Sequence, residues 1–150
     1  MDMQLLQKIL QILPRETAYA HCDVPCGIYD PKGAQTAAAT VLKMVEKLQA
    51  IELPDVSNKQ LLLEYDNTTT RMIMTKEEHA QKCKTELLVL WTDYFKPEHI
   101  EKFPDLHETF WKAAKLCSAN KQSVDMQKAQ ELVKAVDEIA DIFAQTKATK

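Results

Sequence analysis

Apolar residues recur every three or four positions over four long stretches of the chain, and between them the pattern lapses at Pro, Gly or short polar runs. That spacing gathers the apolar side chains on one stripe of an α-helix. The first stretch predicts a helix over about 34–49 with Val41, Val45 and Leu48 on its inner face, broken by Pro54 and Asp55. A second runs from about Thr69 to Tyr94, with Ile73, Ala80, Cys83, Leu87, Trp91 and Tyr94 facing inward, and it stops before Pro97. Proline disfavours helical geometry in the residue ahead of it, which explains the stop. Pro104 suits the first turn of a third helix, in which Leu106, Phe110, Ala113 and Cys117 keep the same spacing. Ser123 is the expected cap of a fourth, with Ala129, Leu132, Val136, Ile139 and Phe143 inside. Residues 52–68 fit no stripe: Leu61, Leu62 and Leu63 suit a short helix, but Asp66, Asn67 and Thr68 read as a turn or cap, so a long connection is expected. Four amphipathic helices joined by turns bury their stripes only against one another. The expected fold is therefore all-α, an up-and-down four-helix bundle over residues 34–146.

Composition agrees with one helical domain: of 150 residues 45% are apolar and 27% charged, with only two Gly and six Pro. The net charge of -3, with Lys scattered among Asp and Glu, leaves no basic stripe for a phosphate backbone, so nucleic acid is not an expected partner. No apolar run is long enough to span a bilayer, and no membrane association is expected. Residues 1–20 carry Leu6, Ile9, Leu10 and Leu13 at helical spacing ahead of Pro14, then Ala18-Tyr19-Ala20, a small-residue site like those of cleaved signals. A positive front end is lacking and Gln7, Lys8 and Gln11 interrupt the apolar run, so this leader is a poor export signal, and a cytoplasmic protein is expected. An ordinary first helix is the plainer alternative for these residues.

Four cysteines divide into two pairs. Cys83 and Cys117 fall on helical stripes and read as buried apolar thiols. Cys22 and Cys26 lie instead in His21-Cys22-Asp23-Val24-Pro25-Cys26-Gly27-Ile28-Tyr29-Asp30-Pro31, where an imidazole and two thiols within six residues are able to converge on one metal ion. Spacing alone leaves open a local disulfide, a thiol redox couple or half of a zinc site. No second Cys/His pair follows at finger-like spacing, which disfavours structural zinc. His79, His99 and His107 are scattered along the helices.

The segment from His21 to Pro31 resembles the nickel hook of nickel-containing superoxide dismutases, matching each fixed position of His-Cys-Asp-x-Pro-Cys-Gly-x-Tyr-Asp-Pro. The likeness continues at Leu90-Trp91-Thr92-Asp93-Tyr94-Phe95-Lys96-Pro97 and Pro104-Asp105-Leu106-His107, so it covers most of residues 21–150. It implies a precursor whose leader is cut between Ala20 and His21 by a processing protease, leaving a hook over 21–33 ahead of the bundle. It implies one nickel ion per subunit, held in a square plane by the His21 amine, the Cys22 backbone nitrogen and the Cys22 and Cys26 thiolates, with the His21 imidazole as axial ligand. Such N and S donors suit nickel(II) better than tetrahedral zinc. The implied reaction converts superoxide to oxygen and hydrogen peroxide by nickel(II)/nickel(III) cycling, in a homohexamer.

The resemblance assigns Tyr29 to gating the vacant axial face, Tyr94 and Tyr29 to proton supply, and Asp23 to shaping the pocket. It gives Lys96 and Lys121 the steering of the superoxide anion, and Pro25 a cis bond. One departure stands out. Where the family places a Glu on the first helix and an Arg on the second to orient the axial imidazole, this chain has Ala37 and His79, although Arg71 matches a family arginine. His79 is the expected substitute, since partners of a ligand imidazole hold it in place and tune its basicity. Two other readings stand beside the enzyme: a nickel or copper carrier without turnover, and a thiol redox protein using Cys22 and Cys26.

Overall fold

The computed structural model describes residues 27–148, so His21, Cys22, Asp23, Pro25 and Cys26 lie outside the described residues, as do the leader and its cleavage point. The described residues form α1 (Lys32–Ala50), α2 (Lys59–Val89), a wide π-turn (Leu90–Tyr94), α3 (Pro97–Lys102), α4 (Leu106–Gln122) and α5 (Met126–Lys147). The four long helices make the expected bundle. Contacts run from α1 to α2, α2 to α4, α4 to α5 and α5 back to α1, so each helix packs on two others around one core. That core takes in Val41, Ala80, Cys83, Leu87, Leu106, Phe110, Cys117, Leu132, Val136 and Ile139, each at most 1% exposed, largely the stripes read from the sequence. No helix among the described residues is long and apolar enough to cross a membrane.

Several boundaries need correction. No long connection fills residues 52–68: α2 begins at Lys59, ten residues before the expected Thr69, and Asp66, Asn67 and Thr68 lie within it. The Asn58 side chain accepts from the backbone N–H groups of Gln60 and Leu61, satisfying two of the donors that a helix start leaves open. The 31-residue α2 is about 46 Å long against about 28 Å for α1, so its first turns extend past their partner. Leu61, Leu63 and Ile73 are accordingly exposed, and Ile73 is not on the inner face. Ser123 does not cap α5. It ends α4, and the cap is Asp125, whose carboxylate accepts from the Lys128 N–H and is held below the usual range chiefly by that bond. Pro104 sits in the turn before α4 rather than in its first turn, and Pro97 instead opens the short α3, which was not foreseen.

One buried charge fixes the far end of the bundle. Lys76, 2% exposed, donates to the Asn120 and Lys121 carbonyls at the end of α4 and pairs with Glu77 at 2.9 Å. A cation there complements the negative end of the α4 dipole. The Asn120 amide in turn donates to the carbonyls of Leu116 and Lys128, tying α4 to the start of α5.

Candidate metal centre and its tyrosine cleft

The segment that follows Cys26 docks against the bundle. Gly27 has φ +71, a conformation that L side chains seldom adopt, so the residue after the last thiol is one that glycine suits. Three residues later, the Asp30 carboxylate accepts from the Lys32 N–H at 2.7 Å and starts α1. Between them the half-buried Tyr29 lays its ring 5.6 Å from that of Tyr94, and its carbonyl accepts from Lys147 Nζ at 3.2 Å. Residues next to the hook are thus clamped by the ends of α2 and α5.

Tyr94 owes its position to the π-turn. The Phe95 N–H reaches back five residues to the Leu90 carbonyl, and Lys96-Pro97 then forces extended chain. The Tyr94 ring packs on Phe143 (4.5 Å), Phe95 (5.0 Å) and His99 (5.6 Å). Its hydroxyl lies 2.7 Å from Thr146 Oγ1, which itself donates to the Phe143 carbonyl. A carbonyl only accepts, so the single Thr146 proton is spent there and Tyr94 must be the donor to Thr146. A cleft of about 190 Å³ opens beside this pair, lined by Tyr29, Asp93, Tyr94, Lys96, Glu98, His99 and Thr146. A second recess bounded by Ile28, Tyr29, Asp30 and Glu86 adjoins it through Tyr29. There the Glu86 carboxylate fills the space above Gly33, where an added Cβ would approach it to 3.1 Å.

The structure therefore brings together three of the residues singled out from the sequence: Tyr29, Tyr94 and Lys96. It does not bring Lys121 to them. Lys121 Nζ donates to Gln81 Oε1 at 3.0 Å, and Gln81 precedes Tyr94 by thirteen residues on the same helix, about 20 Å along its axis. His79 is also on α2, half-buried, with Nδ1 donating to the Thr75 carbonyl at 2.9 Å, so a neutral ring presents Nε2 as an acceptor. Ala37 is buried in the core at 1% exposure. Sequence reasoning missed Thr146 and Lys147. Thr146 follows Phe143 by three and shares its inward stripe, a signal that the periodicity contained.

No group of three or more His, Cys, Asp or Glu among the described residues is arranged to hold a metal ion. The donor set that fits nickel is the one in the sequence just ahead of Gly27: an imidazole and two thiols, soft enough for a redox-active late transition metal.

Comparison with known proteins agrees with this donor set. The family model for nickel-containing superoxide dismutase matches residues 16–147. The chain is 37% identical to the nickel superoxide dismutase of Streptomyces coelicolor over 134 residues, 89% of this chain and 93% of that protein. It is 38% identical to that of Streptomyces seoulensis over the same shares. A native nickel superoxide dismutase structure superposes with a TM-score of 0.71 at 36% identity, covering 85% of this chain and 99% of the other. A structure with nickel ligation corresponding to the oxidised state gives the same score at 37% identity and the same shares. With the family model matching most of its length, and the tyrosine cleft set beside the hook sequence, this chain belongs to the nickel-containing superoxide dismutases.

Proposed function

We propose that the chain is matured by cleavage between Ala20 and His21, and then dismutates superoxide at a nickel ion held by His21, Cys22 and Cys26. The freed His21 amine, the Cys22 backbone nitrogen, the Cys22 and Cys26 thiolates and the His21 imidazole would be the donors to the bound nickel. Bound nickel supplies a one-electron couple, so that one superoxide leaves as oxygen and the next, with two protons, as hydrogen peroxide. The remaining work falls to the chain. Tyr29 closes the cleft over the hook, Asp23 and Pro25 shape the hook, and Lys96 presents a positive charge at the entrance to an anionic substrate. Tyr94 holds a proton toward Thr146, and releasing it to the cleft requires its hydroxyl to turn from that partner.

The observation that carries this reading is the docking of Tyr29, three residues after Cys26, against Tyr94 in the wall of a cleft that also contains Lys96. The relatives named above are dismutases, which weighs against a carrier. Loading the processed protein with nickel and following superoxide decay tests the assignment. Decay should accelerate in proportion to bound nickel and remain slow in the zinc-loaded protein. Nickel bound with no acceleration would make the chain a carrier.

His79 precedes Tyr94 by fifteen residues, about 22 Å along the axis, so in this proposal it orients the His21 imidazole of a neighbouring subunit, accepting through Nε2 either directly or through water. The His79→Ala variant should weaken the axial nitrogen signal in the nickel(III) resonance spectrum and lower turnover by about 10-fold, the lower end for partners of metal ligands. An unchanged spectrum with unchanged turnover refutes the role. The Lys121 assignment needs a neighbouring subunit to bring it near a hook, which the proposed homohexamer would supply. A cytoplasmic location, with no nucleic acid or membrane partner, completes the proposal.

A further inference from the structure

We propose that Cys83 and Cys117 form a dithiol that hydrogen peroxide oxidises to a disulfide joining α2 to α4. Both thiols are free, 0% exposed and on facing helices. Two cross-links beside them set the register: Lys121 Nζ donates to Gln81 Oε1 at 3.0 Å, and Lys84 Nζ donates to Ser118 Oγ at 3.2 Å. Three residues forward on α2 therefore correspond to three residues back on α4, and that antiparallel register brings Cys83 to within two residues of level with Cys117. Both side chains point into the same buried cluster, and the two thiols perturb one another, Cys83 upward and Cys117 downward. Ala80 and Ala113, each within a turn of one cysteine and fully buried, keep the side chains between the two helices small there, which favours the close backbone approach a disulfide needs.

The two thiols are unequal. Donation from Cys83, helped by the Lys84 and Lys121 ammonium groups, holds the Cys117 thiol below its ordinary range. Donating that bond and being buried push the Cys83 thiol up. Cys117 is therefore the attacking sulfur. It forms a bond to one peroxide oxygen as the O–O bond breaks, giving a sulfenic acid, and the departing hydroxide takes the thiol proton to become water. The Cys83 sulfur then attacks the Cys117 sulfur, the S–O bond breaks, and the hydroxide released takes the Cys83 proton as a second water. Two thiols lose two electrons and two protons, and one peroxide becomes two waters. Peroxide is the product of dismutation, so the oxidant arises on the same subunit. That source rests on the function proposed above, whereas the pairing does not.

The test exposes the nickel-loaded processed protein to millimolar hydrogen peroxide, alkylates remaining thiols after unfolding, and maps peptides by mass. The expected product is a Cys83–Cys117 cross-linked peptide, lighter by two hydrogens and reversed by dithiothreitol, in a protein that unfolds at higher temperature until reduced. Recovery of both residues as alkylated thiols overturns the proposal, as does sulfinic acid at either one without a cross-link, or a link from either to Cys22 or Cys26. In Cys83→Ala the expected result is sulfinic acid at Cys117, because no resolving thiol remains. If that variant does not fold, the mapping of the unmodified sequence decides alone. A second arm supplies superoxide, with and without catalase. A cross-link from added peroxide but none from superoxide turnover leaves the pair standing and counts against the dismutase as its source.

Discussion

Replacing either Cys22 or Cys26 with Ser should reduce nickel-dependent superoxide decay by more than about 100-fold, beyond the cost of losing a partner of a metal ligand. Serine has nearly the shape of cysteine, so the loss is chemical. A thiolate is soft, electron-rich and accessible near neutral pH, while an alcohol stays protonated and is a hard donor that neither binds nickel tightly nor stabilises its higher oxidation state. The bundle should be untouched, since residues from Ala34 to Phe143 already close one buried cluster among themselves. Circular dichroism and the unfolding temperature should therefore match those of the parent chain. Retained activity in either variant, measured by superoxide decay after nickel loading, would show that the hook thiols are not the ligands.

The Phe110→Ala change should be the most damaging to stability, at about 3–5 kcal/mol. Phe110 is 1% exposed, stacks against Trp91 at 5.8 Å and meets the edge of Phe95 at 5.3 Å. Truncation removes apolar burial and leaves a cavity against two rings, one in the π-turn and one directly after it. For a domain of this size about 4 kcal/mol corresponds to a fall of roughly 8–16 °C in unfolding temperature. Trp91 also donates to His107 Nδ1 at 2.8 Å, so it stays tethered and cannot collapse freely into the gap. Phe95 packs on Tyr94, hence turnover should fall along with stability. A calorimetric shift of less than about 3 °C would mean that this cluster relaxes far more than its contacts imply.

The bundle was legible because burial imposes a period: Val41, Val45, Ala80, Leu87, Leu132 and Ile139 had to lie on stripes, and they do. The start of α2 was not, for a physical reason. Asp66, Asn67 and Thr68 have weak helix propensity, but propensity amounts to only tenths of a kcal/mol per residue and is overridden by the Asn58 cap and by continuation into the packed region from Lys76 onward. Leu61 and Leu63 gave no stripe because the overhanging turns have no helix against them to select one face. The buried Lys76 was equally invisible, since a lysine looks solvated until a helix end is set in front of it. At the site, the hook could be read from a contiguous run of donors, whereas the meeting of Tyr29 with Tyr94 joins residues 65 apart through the π-turn and leaves no trace in spacing. The pairing of Cys83 with Cys117 was half legible: each sat on a stripe, but facing one another depends on the register of α2 against α4.

Everything proposed for the metal rests on a free amine at His21, because a peptide nitrogen there, tied up in the Ala20 linkage, is no donor until it too loses a proton. The direct measurement compares superoxide decay for two nickel-treated samples of one preparation, one cut between Ala20 and His21 and one with residues 1–20 attached. Fast decay in the cut sample with decay at the uncatalysed rate in the intact one is the predicted result. Equal rates in both would contradict the account.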